Sequence, residues 1–161
     1  MSLTEKIVRW EDLPQWRSRL RASGRKLVVT NGCFDLLHAG HVTYLERARG
    51  LGDVLLIGLN GDASVRELKG PGRPVNTEQD RATVLAALES VTGVCIFSER
   101  SANPFLAIAE PDIYVKGGDY TIDTIPQDER RTVEKAGGRI HFLGFVPGKS
   151  TTALLKSISG C

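Results

Sequence analysis

Two histidines three positions apart, His38 and His41, enclose Ala39 and Gly40 in a chain that holds only one other histidine, His141. They follow Lys26 to Thr30, a β-branched run that reads as a short buried strand, with Asn31 and Gly32 as turn residues that end it. From His41 onward the apolar positions Val42, Leu45 and Ala48 recur at helical spacing, so the segment reads strand, loop, helix. The first backbone N–H groups of a helix have no partner within it and carry partial positive charge, which makes such a loop a ready anion site. Two imidazoles add side-chain donors to the same anion, and Gly40 lets a ligand approach the backbone without meeting a Cβ. That combination suits phosphate. A lone histidine is more often a cap or a core residue, but two together in a polar loop are not asked for by packing.

The elements that must position this pair belong to one domain. The chain has 161 residues, 41% hydrophobic and 25% charged, which is the ordinary range of a globular protein with a substantial core. A net charge of +2, with signs mixed along the chain, argues for neither a nucleic-acid nor a membrane partner. The start, MSLTEKIVRW, has no apolar signal region, and no run approaches the roughly 18 apolar residues of a membrane span, so a cytoplasmic location is expected. Cys33, Cys95 and Cys161 are odd in number and widely spaced, which fits neither a disulfide framework nor a zinc site.

Residues 1–24 are expected to form a helical extension, with Glu11 to Ala22 helical, Asp12 as a cap, Pro14 in the first turn, and Trp10, Trp16 and Leu20 packing it onto a domain of residues 25–161. Asp53 to Leu59 is a second strand, and strand, helix and strand make a parallel crossover unit. Ser64 to Asn76 reads as a flexible basic loop in which Lys69 or Arg73 closes over a bound polyphosphate. The next helix begins near Asn76 or Thr77, with Asn76 and Gln79 at capping-box spacing and Val84, Leu85 and Leu88 as its buried face. Arg81 lies close to that helix start, where a cation is disfavoured unless an anion is near, so it is a candidate phosphate contact.

Gly93 to Phe97 reads as a third strand, Asn103 to Glu110 as a short helix, and Ile113 onward as a strand running into Lys116, Gly117, Gly118 and Asp119. Ligands of open parallel sheets bind outside the carboxyl ends of the strands, so this turn is a candidate for backbone contacts, with Asp119 as an acceptor. Pro126 to Ala136 is a charged helix, Arg139 to Gly144 a fifth strand in which His141 is structural, and Phe145 to Ile158 a glycine loop and helix capped by Ser150 or Thr151. Gly144, Gly148, Lys149 and Ser150 come close to a P-loop. However, three residues rather than four separate the glycines, and only ten residues follow Thr151, too few for a later metal-binding strand.

The stretch NGCFDLLHAGH resembles the first signature of the nucleotidyltransferases that carry the HxGH motif. With GLNGDASVRELKGPGRPVN, VKGGDYT and GKSTTALL in order, the chain is similar to the D-glycero-β-D-manno-heptose 1-phosphate adenylyltransferases in their stand-alone form, over roughly Lys26 to Ile158. The resemblance implies a single Rossmann-like, doubly wound α/β domain with a five-stranded parallel sheet. It implies transfer of AMP from ATP to a heptose 1-phosphate by in-line attack, with Mg²⁺ bridging phosphate oxygens. It assigns His38 and His41 to the α and β phosphates, Lys69 to the transferred and leaving phosphates, and Ser150 and Thr151 to the pyrophosphate end, with Arg81 assisting. Asn31, Gly32, Cys33, Phe34, Gly40, Lys116, Gly117 and Asp119 complete the nucleotide site. Asp35, Arg73 and Asp119 are its candidates for the sugar phosphate, the two aspartates serving either sugar or metal, and no protein-held metal site is assigned. A homodimer and a separate heptose 7-phosphate kinase are implied as partners. The alternatives are a cytidylyltransferase acting on glycerol 3-phosphate or another small polyol phosphate, and a non-catalytic nucleotide-sensing module.

Overall fold

A computed structural model describes residues 1–144 and 150–160. Five strands, β1 (Leu27–Gly32), β2 (Val54–Asn60), β3 (Gly93–Phe97), β4 (Ile113–Gly117) and β5 (Arg139–Leu143), form one parallel sheet in the order β3-β2-β1-β4-β5. The helices are α1 (Leu3–Lys6), α2 (Leu13–Ala22), α3 (Ala39–Arg49), α4 (Asp62–Lys69), α5 (Glu78–Ala86), α6 (Asn103–Ala109), α7 (Gln127–Lys135) and α8 (Thr151–Ser159). Strand residues alternate between two cores. Val29, Leu56, Phe97 and Tyr114 face Phe105 and Val133 on one side, while Val28, Leu55, Ile57 and Val115 face Leu45, Ala82 and Leu85 on the other. Burial on both faces is why β1 and β2 read as unbroken apolar runs rather than alternating ones. The doubly wound α/β sheet expected from the sequence is the sheet found.

The chain builds outward from β1 to β2 and β3, then returns to β4 on the other side of β1. Adjacent connections therefore leave the carboxyl ends of β1 and β4 in opposite directions and open a crevice between them. The N-terminal stretch is tied to the sheet. Val8 N donates to Val94 O at 2.8 Å, and Arg17 donates to Glu110 O at 2.9 Å while pairing with Asp112. Leu20 is buried and Trp10 and Trp16 pack against the same core, as their spacing predicts.

Several local expectations are corrected. Asn31 and Gly32 do not end β1; they continue it, paired with Gly58 and Leu59 of β2. Asp12 makes no cap and instead accepts from Arg9 Nε at 2.7 Å. The basic loop begins later than its composition suggests, because Asp62–Lys69 is a helix that buries Ser64 and Val65, and the breakers Gly70 and Gly72 start only after it. Thr77, not Asn76, caps α5 by accepting from Asp80 N at 3.2 Å. Asn76 is committed elsewhere, its amide to Asp35 Oδ1 and its side chain to Asp35 O. Val84 is exposed; Ala82, Leu85 and Ala86 supply the buried face of α5.

Candidate active site

A cavity of about 610 Å³ opens at the carboxyl ends of β1 and β4, where the strand order reverses. The sequence pair stands on its wall. His38 is the N-cap of α3, and its Nδ1 accepts from Gly40 N at 3.1 Å, while His41 Nδ1 accepts from His38 N at 3.3 Å. This is a capping box made of two imidazoles, which stack with ring centroids 3.9 Å apart. In a neutral imidazole an accepting Nδ1 leaves the proton on Nε2, so the caps fix both tautomers as Nε2–H donors. Burial, reinforced by the neighbouring His38, pulls the His41 pKa down to about 4, so it is neutral near pH 7.

Behind His41 lies Phe34, whose φ of 45° places it in the left-handed region, a strain of about 1–3 kcal/mol for a bulky residue. Its ring sits 5.5 Å from the His41 ring and so close to Gly32 that a Cβ there would come within 2.9 Å of it. The strained backbone thus directs an aromatic wedge under the histidine. Tyr44, from the second turn of α3, lines the same wall and exchanges a 2.8 Å hydrogen bond with Thr30, and both hydroxyls are within reach of Val115 O. That network joins α3 to β1 and β4.

A second helix terminus reaches the cavity. Ser150 caps α8 by accepting from Ala153 N at 2.9 Å, and Thr151 Oγ1 donates to Leu36 O at 3.0 Å, pinning α8 to the histidine loop. The first turns of α3 and α8 therefore both line the cavity, with Gly40 and His41 on one side and Ser150, Thr151 and Thr152 on the other. The glycine loop expected before α8 lies outside the described residues from position 145 to 149, as does Cys161.

The charged lining is basic. Lys69, at the last position of α4, Arg73 and Lys116 face the cavity, and the one carboxylate among the described lining residues is Asp35. Asp35 is spent on the protein. Its side chain is 1% exposed and accepts from Val75 N, Asn76 N and Arg73 Nε, all within 3.0 Å. Burial pushes its pKa up, but those amides and the guanidinium outweigh it and hold the carboxylate below its ordinary range. It orders the turn after Lys69. Cys33 also lines the cavity, and burial raises its thiol pKa against the pull of Lys69, Arg81 and Arg73. It is a neutral wall group.

Two expected residues lie elsewhere. Arg81 is 2% exposed and behind the cavity; its guanidinium donates to Cys33 O, Asn60 O and Asn76 O and pairs with Asp62 at 2.8 Å. The compensating anion its position near a helix start calls for is Asp62, together with three carbonyls. Asp119 does not line the cavity, whereas its neighbour Tyr120 does. Asn31, Gly32, Gly117 and the remaining expected residues do line it, and sequence reading missed Thr30, Tyr44, Asn60, Leu68, Val115, Tyr120, Gly144 and Thr152. Asn60, Leu68, Tyr120 and Thr152 all stand inside the motif stretches quoted above, Tyr120 directly after the KGGD turn.

Among the described residues no cluster of histidine, cysteine or carboxylates is placed to hold a metal ion. The lining agrees, since hard cations want free oxygen ligands and Asp35 is already saturated. Among the described residues no helix is long and apolar enough to cross a membrane.

Comparison with known proteins meets the geometry here. Residues 29–154 match the Cytidylyltransferase-like family. The chain is 48% identical to the bifunctional protein HldE of Trichlorobacter lovleyi over 95% of its own length and 31% of the relative's, and 51% identical to that of Pelobacter propionicus over 86% and 28%. It thus spans about three tenths of those relatives. A lipopolysaccharide core biosynthesis protein from Thermoplasma volcanium superposes with a TM-score of 0.62 at 25% identity, covering 76% of this chain and 98% of that one. A pantoate–β-alanine ligase from Francisella tularensis, at TM-score 0.57 and 13% identity, shares the fold over 94% of this chain and 73% of its own. With the paired imidazoles, two helix termini and a basic lining on one cavity, and the family match over most of its length, the chain belongs to the Cytidylyltransferase-like family and is a nucleotidyltransferase.

Proposed function

We propose that the enzyme transfers AMP from ATP to D-glycero-β-D-manno-heptose 1-phosphate, releasing pyrophosphate and ADP-heptose. The observation that carries this reading is the reciprocally capped His38–His41 pair, whose two Nε2–H donors belong to one wall of a cavity otherwise lined by Lys69, Arg73 and Lys116. A phosphate oxygen of the sugar attacks the α-phosphorus, the new P–O bond forms in line with the breaking bond to the β-phosphate, and pyrophosphate leaves. The nucleophile is already an anion, so the reaction needs no general base and no covalent intermediate. What it needs is alignment of two polyanions and donors for the charge on the equatorial oxygens.

In this reading His38 and His41 donate to the α and β phosphates, Lys69 moves with the turn after α4 onto the leaving group, and the first turn of α8 holds the pyrophosphate end. Mg²⁺ enters with the nucleotide as part of the substrate, which suits a lining without spare carboxylates. The heptose is supported by the similarity to the bifunctional HldE proteins, of which the chain matches one part, and to the lipopolysaccharide core biosynthesis protein. The phosphorylated sugar comes from a kinase reaction, the product feeds a surface glycan, and the enzyme works in the cytoplasm as a homodimer.

The test is pyrophosphate release with Mg²⁺, crossing ATP and CTP against heptose 1-phosphate and glycerol 3-phosphate. Turnover confined to ATP with the heptose phosphate is the expected result. Turnover with CTP and glycerol phosphate moves the chain to the cytidylyltransferase reading, and nucleotide binding without any turnover leaves a sensing module.

A further inference from the structure

One buried acid belongs to none of the roles above. Glu129, in the first turn of α7, is 4% exposed, and its Oε2 has no hydrogen-bond partner among the described residues. A buried carboxylate oxygen left unpaired is costly and rare, so its neighbours must explain it. Two residues of β4, Tyr114 and Lys116, lie within its electrostatic reach. Tyr114 is fully buried and donates its hydroxyl to Asn31 Oδ1 at 2.7 Å, which turns the Asn31 amide nitrogen away from that bond at the cavity wall. Lys116, two positions on and so on the same face of the sheet, places Nζ 5.5 Å from the centroid of the Tyr114 ring and 4.9 Å from that of Tyr120.

No oxygen among the described residues accepts a hydrogen bond from that ammonium, although Lys116 and Tyr120 both line the cavity. A cation held only by aromatic faces keeps its N–H donors available to an anionic ligand. We infer that Glu129 is a positioning residue, a fixed counter-charge behind the wall that holds the Lys116 ammonium between the Tyr114 and Tyr120 rings to receive a substrate phosphate.

The charges around this group are few. Burial pulls the Lys116 pKa down and Glu129 opposes it; burial pushes the Glu129 pKa up, Lys116 opposes it, Asp128 on the same helix adds to the rise, and the Tyr114 hydroxyl lowers it. Tyr114 is held neutral by its burial, with Glu129, Tyr44 and Tyr120 all acting in the same direction. Each member of the Lys116–Glu129 pair therefore favours the charged form of the other against a desolvating wall. Without the acid, Lys116 gives up its proton at lower pH.

The inference rests on the reading of the cavity as a phosphate site, but not on the heptose. Calorimetry on the full chain measures Kd for MgATP and, separately, for inorganic phosphate between pH 6.5 and 9.5, in the wild type, Glu129→Gln, Lys116→Met and the double variant. Glu129→Gln is expected to weaken one of the two ligands about tenfold near pH 9 and little at pH 6.5, with the basic limb displaced downward by about one pH unit. The ligand affected identifies the phosphate that Lys116 meets. The double variant should bind no worse than Lys116→Met. An unmoved pH profile, or losses that add, overturns the inference. Carboxyl ¹³C NMR supplies an arm that needs neither ligand nor the Gln variant, because Glu129 should titrate at higher pH in Lys116→Met than in the wild type; an identical titration also overturns it. Should the wild type bind neither probe, the phosphate reading of the cavity falls, and the carboxyl titration alone decides the pairing.

Discussion

His41 and Arg81 both stand in the first turn of a helix, α3 and α5, on either side of the loop that carries Cys33 and Phe34. Both look like anion ligands in the sequence. The difference is where their hydrogen bonds go. His41 uses Nδ1 to cap its own helix and keeps its donor side on the cavity wall, whereas Arg81 gives its guanidinium to three carbonyls and Asp62. A basic residue at a helix start therefore marks a ligand site only when the protein has not already supplied the acceptors. Arg81 is the support of the site, because the carbonyl of Cys33 it holds belongs to the loop that aims Phe34 at His41.

That contrast predicts opposite outcomes. Arg81→Met should cost about 3–5 kcal/mol of stability, because it breaks a buried pair and strands the carbonyls of Cys33, Asn60 and Asn76. Urea unfolding measures this, and a loss below about 1 kcal/mol together with a large rise in nucleotide KM would turn Arg81 into a ligand. His41→Ala should do the reverse, lowering kcat by roughly 10²–10³ at a stability cost of about 1 kcal/mol from the lost cap. Pyrophosphate release and the same unfolding series check it, and near-normal turnover would make His41 structural. Lys69→Ala, at the exposed end of α4, should lower kcat by about 10² with unchanged unfolding; unaltered kinetics exclude the closing-arm role.

Acid titration sharpens the comparison further. The His41 pKa of about 4 in the folded chain lies below the ordinary value of 6.5, so the unfolded chain takes up this proton first as the pH falls. The stability linked to it is complete above pH 6.5 and is lost as the pH drops toward 4. His41→Asn should flatten that part of the stability profile, measured by denaturant unfolding at half-unit pH steps. The smallest effect belongs to the caps of α5. Thr77→Ala should cost about 1 kcal/mol by loss of its bond to Asp80 N, and thermal unfolding that leaves Tm unmoved would return the cap to another group.

Much of the fold and the site was legible in the sequence. Continuous apolar runs located β1 to β4 to within a residue or two, because a strand buried on both faces leaves little room for polar positions, whereas the edge strand β5 carries Arg139 and His141 and is only half-buried. His38, Gly40, His41, Lys69, Lys116, Ser150 and Thr151, which line the cavity, stand out through signals that act within one turn of chain: a helix start, a glycine, a strand end. The errors arose where a residue answers to something far away. Asn31 and Gly32 read as a turn but are strand, because β2 supplies partners 27 positions on. Asp35 read as a substrate ligand, yet the amides of Val75 and Asn76 already surround its carboxylate. Asn76 read as a cap, but Asp35 claims it.

By itself, then, the sequence determined the order and type of most elements, the placing of the paired-histidine loop at a helix start, and the family. These follow from local backbone preference and from periodic burial, both of which are written in neighbouring residues. Only the tertiary structure decided which polar groups still had bonding capacity to offer. Arg81 meets Cys33 across 48 positions, Tyr114 meets Asn31 across 83, and Thr151 meets Leu36 across 115. Whether a donor faces a ligand or a carbonyl depends on what the fold brings beside it, and no local pattern encodes that.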